Sequence, residues 1–138
     1  MAEKSSCKTL REKLAASPKV HVQRIEDMMS RGIPDINFCF NEHEVWVECK
    51  ELAELPKRES TLIKVGLKPE QARWLNTRDA AGGCVFVMIR CRFDNTWKLG
   101  WKDFDKLVKG LTLDEFNAWG YTYSSCNDVV KHLLGYCE

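Results

Sequence analysis

No stretch of this chain approaches the roughly 20 apolar residues that a membrane-spanning helix needs, and Met1 to Ser6 hold no apolar signal core. Both absences point to an intracellular, cytoplasmic protein. The seven cysteines, at 7, 39, 49, 84, 91, 126 and 137, include no Cys-x-x-Cys pair. That argues against a structural zinc and for reduced thiols, several of them in strand-like runs where cysteine behaves as a small buried hydrophobe. A surplus charge of one sign is also missing: the net charge is +1, so bulk electrostatics make no case for a polyanionic partner. The histidines, His21, His43 and His132, are too scattered to read as a metal cluster, and Ser60-Thr61 lacks a histidine partner pattern for nucleophilic catalysis. Repeats, low-complexity segments and an interdomain linker are absent. A chain of 138 residues is long enough for one domain with a real core.

The hydrophobic pattern that is present reads as α/β. Residues 8–16 suggest a short helix ended by Ser17-Pro18, and residues 19–25 alternate as a half-buried strand does. Residues 36–40 and 44–50 form a hairpin signal across Asn41-Glu42-His43. Residues 51–68 contain Pro56, Gly66 and many charges, and are read as a long mobile connection. Pro69 suits the first position of a helix running to about Ala80, closed by Gly82-Gly83. A dense apolar strand over 84–92 follows, and Asp94-Asn95 turns it into another over 96–101. The C-terminal third reads as helical, with capping-box spacing from Thr112 to Glu115 and a last helix over 125–134 stopped by Gly135.

The chemistry is concentrated between residues 32 and 50. Asp35 follows a Gly-x-Pro turn at Gly32-Ile33-Pro34 and opens one apolar run, while Glu48-Cys49-Lys50 closes the next. Side chains alternate along a strand, so Trp46, Glu48 and Lys50 share one face and Val45, Val47 and Cys49 the other. A two-residue turn at Asn41-Glu42 sets Phe40 opposite His43 and Asp35 opposite Glu48. Two carboxylates brought together need a cation between them. Their hard oxygens select Mg²⁺ or Mn²⁺, which can acidify a water and neutralise charge on a phosphorane-like transition state. Lys50 could orient that water or stabilise the developing charge, and the Cys49 carbonyl could add a ligand. Hydrolysing a phosphodiester requires this combination.

Gly32-Ile33-Pro34-Asp35 followed by Glu48-Cys49-Lys50 resembles the PD-(D/E)XK nuclease superfamily, and within it the small virus-type replication-repair (VRR-NUC) nucleases and phage Holliday-junction resolvases. Val22-Gln23-Arg24-Ile25-Glu26 is similar to the Arg-x-Glu element that precedes the turn in phage members. Leu67-Lys68-Pro69-Glu70-Gln71, with Trp74-Leu75 and Gly82-Gly83, is similar to the helix carrying a glutamine after the active strand. The resemblance covers roughly residues 20–92. It implies a restriction-endonuclease-like core with a mixed central β-sheet flanked by helices over about 8–101, and a helical C-terminal extension over about 102–138, the whole being a single nuclease domain. It implies Asp35, Glu48 and Lys50 as the catalytic set, with Asp35 and Glu48 as metal ligands and Gln71 touching metal-bound water or the DNA backbone. An upstream acid completes such a site. Glu26 is the first choice, in the Arg-x-Glu element, and Glu12 on the first helix is the rival.

Beside that site, local cations become phosphate contacts: Arg24 and Arg31 flank the approach to Asp35, and Lys57, Arg58, Lys64, Lys68, Arg73 and Arg78 follow. Trp74 shares the Gln71 helix face at i+3 and is the tryptophan to test as a base-stacking residue. The leading expectation is a Mg²⁺-dependent DNA endonuclease, structure-selective for junctions or flaps, acting in replication, recombination or repair in the cytoplasm (the host's, if phage-encoded). A homodimer is expected, with Phe104, Leu107, Phe116 and Trp119 as candidate interface surface. The alternatives are a non-catalytic nucleic-acid-binding module on the same fold and a sequence-specific restriction-type endonuclease.

Overall fold

The computed structural model describes residues 3–26 and 32–138. Its elements run α1 (Ser5–Ala15), β1 (His21–Arg24), β2 (Ile36–Phe40), β3 (His43–Leu52), α2 (Pro69–Ala80), β4 (Cys84–Cys91), β5 (Thr96–Gly100), α3 (Phe104–Lys109), α4 (Leu113–Ala118), β6 (Tyr121–Tyr123) and α5 (Cys126–Tyr136). The strands form one six-stranded sheet in chain order. Only β3 and β4 pair parallel, joined by the α2 crossover, and every other neighbouring pair is antiparallel. The protein is therefore α/β, a mixed sheet flanked by helices. No helix among the described residues is long and apolar enough to cross a membrane.

The β2–β3 hairpin turns on Asn41 and Glu42, whose φ angles of 52° and 67° fit a two-residue turn matched to strand twist. Phe40 pairs with His43 and Ile36 with Val47, which brings Asp35 to the step opposite Glu48. Each face of the sheet carries its own core. Val45, Val47, Cys49, Phe86 and Met88 pack against Leu10 and Leu14 of α1 and Val129 and Leu133 of α5. Val85, Val87 and Ile89 point the other way, onto Ala72 and Leu75 of α2 and onto Phe104, Leu107, Phe116 and Trp119. The active-strand alternation is thus a choice between two buried layers.

Several expectations change. The connection after β3 is not a loosely held loop. Ile63, Val65 and Leu67 are buried in alternation, with Lys64 and Gly66 exposed between them. Ile63 and Leu111 exchange backbone hydrogen bonds of 2.7 and 2.9 Å. Phe104, Leu107, Phe116 and Trp119 lie at 6% exposure or less, so they belong to this core and offer no dimer surface. The Thr112–Glu115 capping box forms as expected. The C-terminal third also contributes β6, pairing with β5, which its helical pattern concealed. Helix α5 continues through Gly135 to Tyr136, because its buried face extends past that glycine to Cys137 and Asn41 Nδ2 donates 2.7 Å to the Cys137 carbonyl.

Lys98 in β5 was not foreseen as a core residue. It is 3% exposed, and its ammonium donates to the Trp119 carbonyl at 3.1 Å and the Thr122 hydroxyl at 2.9 Å. Burial without a carboxylate partner lowers its pKa. Its function is to satisfy the backbone where α4 meets β6. Lys98→Met keeps the aliphatic stem but strands those acceptors, so it should destabilise the fold by about 2 kcal/mol in urea unfolding. A loss under about 0.5 kcal/mol would contradict that role.

Candidate active site

Three segments converge on the end of β3. Glu48 is only 2% exposed although it carries a carboxylate in the middle of the sheet. Its Oε2 accepts from Lys50 Nζ at 3.1 Å and from Gln71 Nε2 at 3.1 Å. Its Oε1 is buried without a hydrogen-bond partner, the only such side-chain atom among the described residues. Asp35 reaches the same strand from the other side of the hairpin: its Oδ2 accepts the Cys49 amide at 2.8 Å and so continues the β2–β3 ladder past its last backbone pair. Burial and, next, the Asp35 charge push the Glu48 carboxyl up to about 7, against the opposing pull of Lys50 and Lys4.

Gln71 acts as a clamp. Its carbonyl oxygen accepts the Lys68 amide at 2.9 Å, closing the first turn of α2, while its amide group holds Glu48. The two partners fix the amide orientation, since an N–H must face oxygen and a carboxylate must face the NH₂. Gly32 makes this docking possible. At φ +88°, its Cα lies so near α2 that an added Cβ would stand 2.3 Å from the Glu70 carbonyl oxygen. The Gly-x-Pro-Asp turn therefore seats the helix start against β3.

The α1 side brings residues that the sequence reading missed. Lys4 Nζ donates 2.9 Å to the Cys49 carbonyl, the oxygen expected to be free for a metal. Glu3, with a side chain 8% exposed, is held by both Nε and Nη2 of Arg11 at 2.9 Å, and that guanidinium lowers its pKa. Ser6 and Arg92 pin Glu51 of β3; although burial opposes ionisation, their hydrogen bonds take it down to about 2. These contacts lock the start of α1 over β3 and set Cys7 beside Asp35 and Cys49, the ligand atoms of the three lying within 4.8 Å of one another. Its contact with Cys7 and its complete burial raise the Cys49 thiol pKa, so that residue presents a neutral thiol inward. No local periodicity signals Lys4, because its partner lies 45 positions away.

Other candidates fall elsewhere. Glu26 is exposed and paired with Arg24 at 2.7 Å, although Ile25 next to it donates its amide to the Asp35 carbonyl at 2.8 Å. Glu12 lies on the outer face of α1, 3.8 Å from Lys8. Lys57, Arg58, Lys64, Lys68 and Arg73 are exposed, Arg24 is half-buried, and Arg31 lies outside the described residues.

A hard divalent cation fits this donor set. The partnerless buried Oε1 of Glu48, the Asp35 carboxylate and the Cys49 carbonyl, once Lys4 withdraws, are all oxygen donors.

No family model matches the chain, and no curated protein sequence matches it. Among solved structures it is similar to Hjc, a Holliday junction resolvase from the archaeal hyperthermophile Archaeoglobus fulgidus, with 17% identity and a TM-score of 0.49. The match covers 80% of this chain and 94% of that one.

Two outcomes follow from the geometry. Glu48 has its folded pKa raised from 4.5 to about 7, so the protonated form favours folding; stability is full below pH 4.5 and falls as pH rises through 7. In EDTA the wild type should lose roughly 3 kcal/mol relative to Glu48→Gln between pH 4.5 and 8. A flat profile in EDTA would contradict the burial of a strained carboxyl. Gly32→Ala should lower the unfolding free energy by about 2 kcal/mol or more, from positive φ and the clash with Glu70 together. An unchanged melting temperature would show that the turn does not hold α2.

Proposed function

We propose that the protein is a metal-dependent DNA endonuclease, Mg²⁺ or Mn²⁺ being its cofactor and branched DNA, a junction or flap, its substrate class. The observation that carries this reading is Glu48: a buried carboxylate, one oxygen clamped by Lys50 and Gln71, the other without a partner, the whole group under the influence of the Asp35 charge. A purely structural carboxylate at that depth would have both oxygens satisfied. A strand face holding two acids and a lysine is suited to phosphodiester hydrolysis.

When bound, the cation supplies charge neutralisation for the phosphoryl oxygens and lowers the pKa of an attacking water. Glu48 would present Oε1, and Asp35 the carboxylate whose other oxygen is fixed by the Cys49 amide. Lys50, tied to Glu48 at 3.1 Å, stands where it can orient the water and then face the negative charge that gathers on phosphorus. Gln71 keeps the Glu48 rotamer by holding Oε2, which leaves Oε1 as the oxygen without a hydrogen-bond partner. It is a positioning residue in this scheme. The exposed cations Lys57, Arg58, Lys64, Lys68 and Arg73 supply backbone contacts without sequence information. Cutting two opposed strands of a junction calls for a two-fold dimer, and among the described residues Leu62, Phe93, Leu113, Tyr121 and Tyr136 are the large apolar side chains exposed for its interface.

The test is a panel of labelled duplex, single-stranded, flap and four-way-junction DNA with Mg²⁺, Mn²⁺ or EDTA. Lys50→Ala and Asp35→Asn should each lower cleavage by about 100-fold or more while leaving the fold intact. Cleavage that persists in EDTA, or in both variants, would sink the mechanism. Binding without cleavage in any metal would mark a binding module, and discrete fragments from plain duplex would mark a restriction-type enzyme.

A further inference from the structure

One side-chain cluster adjoining the site has no part in the scheme above. Trp46 precedes Glu48 by two positions on β3 and so projects from the same face. One turn along α2 from Gln71, Trp74 meets it, with ring centroids 5.1 Å apart and planes at 59°. A further turn on, the Arg78 guanidinium lies 4.8 Å over the Trp74 ring and 5.5 Å over Trp46. The tryptophans are half-buried, whereas Arg73 and Arg78 are exposed and, among the described residues, have no carboxylate within ion-pair distance. An open cavity of about 830 Å³ follows this flank of the helix, lined by Pro69, Glu70, Arg73, Trp74, Arg78 and Gly83.

The groove is shaped by the backbone beneath it. A Cβ at Gly83 would stand 2.6 Å from Arg78 Cγ, so glycine there lets the arginine stem lie flat and carry its charge back over the rings. Helix packing alone would use the tryptophans and leave an exposed guanidinium free to pair with an acid. Here Arg73, Arg78 and the Trp74 ring line a cavity that opens beside the first turn of α2, where Gln71 holds Glu48, and Trp46 backs the Trp74 ring from β3. Cationic groups take phosphate, and π-faces take bases whatever their sequence.

We propose that this groove binds an unpaired nucleotide of the DNA substrate, its base stacked on the Trp46–Trp74–Arg78 cluster and its phosphate on Arg73. The proposal rests on the nuclease reading and narrows its substrate to DNA with a single-stranded arm beside the cleaved bond. A base held in a paired duplex has no free face to offer, so the groove discriminates against blunt duplex.

The experiment is fluorescence anisotropy in EDTA, with a labelled oligo-dT and a blunt hairpin duplex as probes. Wild type, Trp74→Ala, Trp74→Phe and Arg78→Gln are compared, each checked by thermal melting. Wild type should prefer oligo-dT. Trp74→Ala should weaken oligo-dT binding about tenfold and duplex binding less than about twofold. Trp74→Phe, which keeps a ring, should stay within about threefold of wild type, and Arg78→Gln should fall between the two. Because the assay reads binding in EDTA, its result is separate from catalysis: binding can follow the pattern even if no metal supports cleavage. Equal losses for both probes, no loss in Trp74→Ala, or Trp74→Phe as weak as Trp74→Ala would overturn the proposal. If Trp74→Ala melts early, an Arg78→Gln variant of normal stability that binds oligo-dT as wild type overturns it as well.

Discussion

A carboxylate in the interior of a sheet is tolerable only if something else gives up freedom to hold it. Glu48 is in that position, and much of the local architecture can be traced to it. Lys50 supplies the opposite charge, but one lysine does not offset burial plus the neighbouring Asp35 charge, since the carboxyl still rises to about 7. The start of α2 adds the rest. Gln71 is the third residue of a helix whose first-turn dipole favours negative charge, and its amide reaches Glu48 directly. That approach needs Gly32 at the contact, because any side chain there would strike the Glu70 carbonyl. A glycine in a turn, a proline-led helix and a buried acid are thus parts of one constraint.

The topology serves the same end. A parallel β3–β4 pair needs a crossover, and the crossover helix begins beside the end of β3 and returns to the beginning of β4. Its N-terminus therefore faces Glu48, and its later turns face Trp46, near the strand's start. The opposite face of β3 is covered by α1, locked through Ser6, Glu51 and Arg92. With both faces packed, the residues of β3 cannot relax their alternation, and Glu48 and Cys49 are held to opposite layers. A one-residue slip would exchange them.

How much of this was legible in the sequence follows from the range of each interaction. The hairpin register was readable because Asn41-Glu42 sets it within ten residues, and the Asp35–Glu48 approach came with it. The Thr112–Glu115 box was readable for the same reason. Ile63, Val65 and Leu67 were not: Gly66 and the surrounding charges hide the alternation, and the strand-like bridge that orders them comes from Leu111. Lys98 occupies an inward position that a lysine normally signals as outward, and the acceptors of residues 117, 119 and 122 with the Phe116 ring make it tolerable. The apolar surface of α3 and α4 reads as available until the second sheet face is known to need covering. Lys4 shows the limit most plainly, since nothing local marks a terminal lysine as the partner of a carbonyl 45 residues away.

Lys4 also bears on how the site is balanced. Without a divalent cation the two acids face two ammonium groups, one on Glu48 and one on the Cys49 carbonyl. A cation that takes that carbonyl must displace Lys4, and it must find Glu48 ionised. Under the proposed function, with the Glu48 carboxyl raised to about 7, loading a cation at neutral pH would release a proton from part of the molecules and an ammonium group from all of them. Its affinity would then be lower than the bare donor set would give, and would rise with pH until Glu48 is fully ionised. Lys50 and Lys4 offset only part of the burial of Glu48 and of its repulsion by Asp35, and what they leave uncompensated is the raised Glu48 pKa.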